Sequence, residues 1–280
     1  PGYTTTNGTL EKNEVIISGG TMEKEVYGAL SFGKGTAREN RVTISGGTLQ
    51  KAVYGGMAYD AGTAKDNHIV ISGGTFQGNV IGGASDGTNA VTGNTITISG
   101  GTFSGDIKGG LSWGGGATTG NTVNLGNDGR ARMRRDTTSL TPSMADGTNL
   151  SAVTLYGGSN AGDVTGNTLN VKAKDINVKA LRNFDALHFH LGDKIGMGST
   201  MLTLTDNDGL GRTMDWAKIR VDASALSTDQ TEGKLTLLKG ASVMNFSGYT
   251  GPADRTPAGN SGDYELSLHT DTGTGAAQEV

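Results

Sequence analysis

Hydrophobic and polar positions alternate with period two along the first half of the chain, and the alternation itself recurs. Blocks opening NEVIISGGT, NRVTISGGT, NHIVISGGT and NTITISGGT start at Asn13, Asn40, Asn67 and Asn94, each 27 residues after the one before, and a fifth start falls at Asn121. In every block a Val or Ile stands on each side of a position that tolerates Thr: Val15 and Ile17 around Ile16, Val42 and Ile44 around Thr43, Ile69 and Ile71 around Val70, Ile96 and Ile98 around Thr97. Period two in β-branched residues predicts a strand with one face buried and one turned out, not a helix. Further along, Met22, Leu49, Phe76 and Phe103 make a second apolar column, Val26, Val53, Val80 and Ile107 a third, and Leu30, Met57, Ala84 and Leu111 a fourth.

A short strand cannot bury such a face alone; it needs like neighbours above and below. The constant spacing therefore predicts an all-β parallel β-helix (a solenoid) with 27-residue coils, each of about three short strands and three turns, with rungs roughly 4.8 Å apart. The Gly pairs at 19–20, 46–47, 73–74 and 100–101 are expected corners with positive φ, and the Gly column at 28, 55, 82 and 109 is read as another corner. Asn13, Asn40, Asn67, Asn94 and Asn121 are expected to form a ladder of amides bonded from coil to coil.

Beyond Asn121 the period breaks. The next start, Asn167, comes 46 residues later, after a drifted copy reading TLYGGSNAGDVTGN. The excess is assigned to an inserted loop at 126–149, polar and carrying four Arg. The organisation expected is a lead-in strand over 1–12, β-helix repeats over 13–175 with that insertion, an irregular β C-terminal cap over 176–269, and a polar tail over 270–280. In the cap INVKAL, ALHFHL, MLTLT, AKIRVDA, KLTLLKG and YELSLHT stay strand-like without the period.

Composition narrows the function. Of 280 residues 48 are Gly but only 4 are Pro, with no Gly-X-Y repeat, which excludes a disordered linker and collagen. A formal charge of −4 argues against a nucleic-acid partner. Cys is absent, so no disulfide, thiolate metal site or thiol nucleophile can form. No run of 18 apolar residues is present to cross a membrane as a helix. The opening PGYTTT lacks a basic and an apolar region, so no signal peptide is expected within the chain.

The ISGGT-x4-V-x-GG units over 13–120, their drifted copy over 153–171, and the segment LRNFDALHFHL…GSTMLTLT over 181–205 resemble the passenger regions of autotransporters, the type V secreted surface proteins, and among them the pertactin-like Gly-rich adhesins. The resemblance implies a right-handed parallel β-helix in a non-catalytic adhesin at the cell surface or secreted, exported across the outer membrane. It also implies a last part that acts as a folding nucleus during export, and anchorage through a β-barrel absent from this chain. Implied partners are a glycan or protein on a host or bacterial surface, with self-association as the alternative; no cofactor or metal is implied. The protease branch of the family is not supported, because no GDSGS signature occurs.

Several residues are candidates for binding. Arg130, Arg132, Arg134 and Arg135 read either as a site for sulfated or sialylated glycans or an acidic protein patch, or as a solvated loop that keeps an edge from pairing. Tyr27 and Tyr54 (with Tyr156 later), and Phe32, Tyr59 and Trp113 with Asp86 interrupting them, recur in columns. They offer either a surface for sugars or ring stacks that stiffen the coil. His188 and His190 share one strand face, but two imidazoles without a third ligand read as solvent-facing positions. The run Asp206, Asn207, Asp208, Gly209 lacks the later ligands of a calcium loop and reads as a turn. Thr21, Thr48, Thr75 and Thr102 form a column, but the neighbouring one is mixed, against an ice-binding face. Carboxylates Glu14, Glu23, Glu25, Asp60 and Asp66 are scattered rather than grouped in one column, against a polysaccharide-cleaving β-helix enzyme.

Overall fold

The computed structural model describes residues 2–4, 8–126, 144–192, 195, 198–225, 235–242 and 244–250, and the short strands 253–255, 264–266, 269–270 and 278–279. It is a β-solenoid of about seven turns with coils of about 27 residues. The strands Glu14–Ile17, Arg41–Ile44, His68–Phe76, Thr95–Phe103, Thr122–Leu125 and Thr168–Val171 lie side by side and parallel. Their register sets Val15, Val42, Ile69, Ile96, Val123 and Leu169 in one file. From Val42 onward every member of that file is fully buried, as are Ile44, Ile71 and Ile98 two residues on. Thr43, Val70 and Thr97, between them, stay half-buried on the outside.

A second parallel sheet closes the other side of the core. In its strands Val53–Ala58, Val80–Ser85 and Ile107–Ser112, Val53, Val80 and Ile107 align and enter the same core. Leu49, Phe76 and Phe103 fill the space at the bend, and the two Phe rings stack 4.6 Å apart at 7°. A third, four-stranded sheet, Thr9–Glu11, Thr36–Arg38, Thr63–Lys65 and Val91–Thr92, completes the early coils. Both lead-in strands, Gly2–Thr4 and Thr9–Glu11, pair into this scaffold.

The Asn ladder is continuous from Asn13 to Asn167. Each Nδ2 donates to the next Oδ1, at 2.8, 2.9, 2.9, 3.0 and 3.3 Å. Each backbone N–H donates to that same oxygen at 3.0–3.1 Å. From Asn40 on, Nδ2 also reaches a carbonyl of the third sheet or its continuation, such as Ala37 O from Asn67 at 3.0 Å. Asn40 through Asn167 are fully buried, so this network satisfies polar groups that water cannot reach.

The column Leu30, Met57, Ala84 and Leu111 is in register and forms a separate apolar cluster with Tyr27, Tyr54, Ile81 and Tyr59. Met57 packs with Tyr54 in this outer cluster while Val53 enters the core, so strict alternation does not carry through Gly55 and Gly56, although the register of the strands stays constant. The Gly column expected as a corner is revised: Gly55, Gly82 and Gly109 lie inside strands. Gly55 lies within a strand, where a Cβ would sit 2.3 Å from the Gly82 carbonyl oxygen; close approach of rungs, not a turn, selects glycine. Corners with positive φ do occur at the second Gly of each SGG pair, from +81° at Gly20 to +107° at Gly101.

The insertion is also shorter at its far end than 126–149. It leaves the rung at Gly126, and the chain is back on the scaffold by Ala145, whose N–H donates to Ser99 O at 2.6 Å. Asn149 then pairs with Thr102. Parallel pairing also runs past residue 175, where the cap was expected to begin. Ile176–Arg182, Thr200–Leu204 and Thr236–Gly240 extend one sheet; Ala186–Gly192 and Ile219–Ala225 extend the other.

Candidate functional site

The outer face of the second sheet carries the aromatic columns. Tyr27 and Tyr54 stack at 5.0 Å and 6°, and Phe32 and Tyr59 at 4.7 Å and 1°, because in-register rungs repeat at the spacing of stacked rings. Tyr3, which the sequence reading passed over, meets Phe32 edge-on at 5.7 Å. Tyr27, Tyr54 and Tyr59 close over Leu30, Met57 and Ile81 and are only half-exposed. Burial, then the neighbouring Tyr54 and Glu25, push the Tyr27 phenol up to about 12; burial and Glu25 raise that of Tyr54. Trp113 stands apart from these stacks, 55% exposed. Two coils along the Tyr54 column, Lys108 Nζ lies 4.6 Å over the Tyr156 ring, a cation–π contact absent from the sequence reading.

The outer face of the first sheet carries a second ladder that sequence reasoning missed. Asn124 Nδ2 donates to Thr97 Oγ1 at 3.1 Å, and Asn170 Nδ2 donates to Asn124 Oδ1 at 2.8 Å. His190 continues the line, with Nε2 3.4 Å from Asn170 Oδ1 and Nδ1 3.2 Å from Asp222 Oδ2. The signal was available: Asn124, Asn170 and His188 stand in the outward column of Thr97. As expected from alternation, His188 and His190 share this face while Leu187 and Phe189 are buried. Asp208 N–H donates to Asp206 Oδ1, and the Arg182 guanidinium binds Asp208, so the 206–209 run is a tied turn. Among the described residues no three His, Asp or Glu side chains gather to hold a metal.

A half-open cavity of about 700 Å³ lies where the insertion returns. Its walls are the returning limb 144–151, the turn 173–177 and Ile195. Met144, Leu150, Ala173 and Ile176 give it an apolar floor; Asp146, Asn149, Ser151, Lys174 and Asp175 give it polar groups, Lys174 standing 3.7 Å from Asp175. That size and mixture suit a small ligand or a side chain of a larger one. Arg130, Arg132, Arg134 and Arg135 lie outside the described residues. The structure thus brings together the aromatic pairs and the Asn ladder, leaves Trp113 single, and adds a cavity no motif announced. No protein-family model, curated protein or solved structure matches the chain.

Proposed function

We propose that the chain is a non-catalytic adhesive segment of an autotransporter-type passenger, holding a binding site on a stiff solenoid outside the cell. The observation that carries this reading is the cavity at the root of the one large interruption of the repeat. Function on repeat scaffolds concentrates in such insertions, while the coils supply rigidity. The partner is a glycan or protein of another cell's surface, engaged by the returning limb together with the Arg-rich stretch. Stacked rungs, closed by two amide ladders, hold that site without disulfides in a chain that has no Cys.

The test is a glycan and matrix-protein array probed with the purified chain, with Lys174→Glu, and with a variant replacing all four loop Arg by Ala. Binding by the parent that weakens in both variants is the expected result. A parent that binds nothing, or variants that bind as the parent does, would overturn the reading. Release of oligosaccharides from uronate polymers would replace it with the enzyme reading.

Self-association is the second reading, favoured by the flat outward ladder from Thr97 to Asp222, whose amide and hydroxyl groups suit a polar side-by-side contact. Sedimentation showing only monomer at high concentration would remove it.

A further inference from the structure

Two imidazoles share the outer face near the C-terminal end, and their surroundings differ. His190 has the Asp222 carboxylate at 3.2 Å. His188 makes no hydrogen bond or ion pair among the described residues, although its ring is half-buried. In register with it on one side is the uncharged Asn170, on the other Arg220. Lys172 stands just beyond the end of the Asn170 strand. Lys218, on the turn preceding the Arg220 strand, is paired with Asp185 at 3.4 Å. Among the described residues, the register neighbours of His188 are thus uncharged or cationic, and the Asp222 carboxylate stands against His190.

We propose that His188 is an acid-sensing residue whose protonation loosens the last rungs of the solenoid, detaching the strand Ile219–Ala225 from Ala186–Gly192. A proton on His188 places a cation in the rung next to Arg220 and beside His190, in a site that removes water from the ring. Burial first, then Arg220, then His190 hold the imidazole below its usual range. The unfolded rung therefore binds more protons than the folded one just below pH 6.5, so its stability falls as pH drops through that window. The first parallel sheet ends at Ile219–Ala225 among the described residues, so its release breaks one rung and leaves the ladder from Asn13 to Asn167 intact. The inference is independent of the adhesive reading, since it concerns a different face and needs no ligand.

The structure supplies its own reporter. Trp216 is buried in the turn Trp216–Lys218 directly before that strand, with Phe246 and Tyr249 edge-on at 5.3 and 4.8 Å. In a Trp113→Phe background, Trp216 fluorescence should show a reversible transition centred below about pH 6.5 while the far-ultraviolet circular dichroism stays constant. His188→Gln should abolish the transition, and Arg220→Gln, which removes a cation that opposes the protonated ring in the folded rung, should shrink it or move it to lower pH. A transition that survives unchanged in both variants, or one that coincides with loss of the whole circular dichroism signal, would overturn the proposal.

Discussion

Replacing Asn67 by Ala tests the scaffold at its most connected point. The Asn67 Oδ1 accepts from the Asn40 N–H at 3.1 Å and from Asn40 Nδ2 at 2.9 Å; its Nδ2 donates to Asn94 Oδ1 at 2.9 Å and Ala37 O at 3.0 Å. Removing the side chain strands two Asn40 donors in a place water does not reach, while Asn94 Oδ1 keeps the Asn67 backbone N–H and the Ala37 carbonyl stays within the ladder of the third sheet. Two buried orphans at about 1–3 kcal/mol each, partly relieved by relaxation, give an expected loss of about 2–5 kcal/mol. Asn13→Ala is the internal control. No earlier rung among the described residues donates to its Oδ1, and its loss leaves Asn40 Oδ1 still bonded to the Asn13 N–H. It should cost under about 1 kcal/mol. Urea unfolding with an unchanged slope reads both. Shifts within about 1 kcal/mol of each other would refute the claim that the ladder stabilises by satisfying buried groups. Gly56 backs on the same amide, where an added Cβ would lie 2.7 Å from Asn67 Nδ2. Gly56→Ala should therefore be damaging alone and much less so on top of Asn67→Ala.

Val53→Asp places an unpaired charge in the fully buried file and should cost about 3 kcal/mol or more, whereas Thr43→Asp, on the half-buried outer face, should cost far less; chemical denaturation of the two separates inside from outside. Glu39 holds φ +56° just before Asn40, where later coils use Gly93 and Gly120, so Glu39→Gly should raise stability by about 1 kcal/mol even though it gives up its exposed pairing with Arg38 and Lys12. Because the folded Tyr27 phenol ionises near pH 12 and the unfolded one near 10, stability should fall as pH rises from about 10 to 12; phenolate absorbance of Tyr27→Phe against the parent identifies the late-titrating group.

The core was legible because its cause is periodic. Val42, Ile69 and Ile96 recur at one spacing, and a parallel stack is the arrangement that buries all three on one side. The amide ladder was legible for the same reason. Which side Met57 faces was not legible, because alternation does not carry through Gly55 and a hydrophobic pattern does not mark where it stops. The outer ladder was hidden by chemistry that changes from rung to rung: Thr97, Asn124, Asn170 and His190 are one line of hydrogen bonds but four positions of mixed type. Past residue 175 coil lengths become unequal. Leu187 falls 18 residues after its partner Leu169, and Ile219 falls 32 after Leu187, so pairing persists where periodicity does not. The cavity depends on how two non-repeating limbs meet, which no local spacing encodes.

The place where the repeat is interrupted follows from what must not be interrupted. Asn121 bonds Asn167 through both its N–H and its Nδ2, and Thr122–Leu125 pairs fully with Thr168–Val171, although 46 residues separate the two coils. The insertion leaves after that strand, at the position where the earlier coils carry SGG. Gly126 N–H donates to Ile98 O and Ala145 N–H to Ser99 O, so departure and return stand over consecutive residues of the rung below. Residues 127–143 can accordingly be exchanged for two or three Gly with the scaffold bonds retained. Closing the shorter loop should favour folding by up to about 2 kcal/mol, from the logarithmic dependence of closure entropy on length. The urea midpoint should thus hold or rise while array binding is lost. A deletion that instead unfolds the chain would mean that the insertion is part of the core, and that the division between a rigid scaffold and a binding excursion is mistaken.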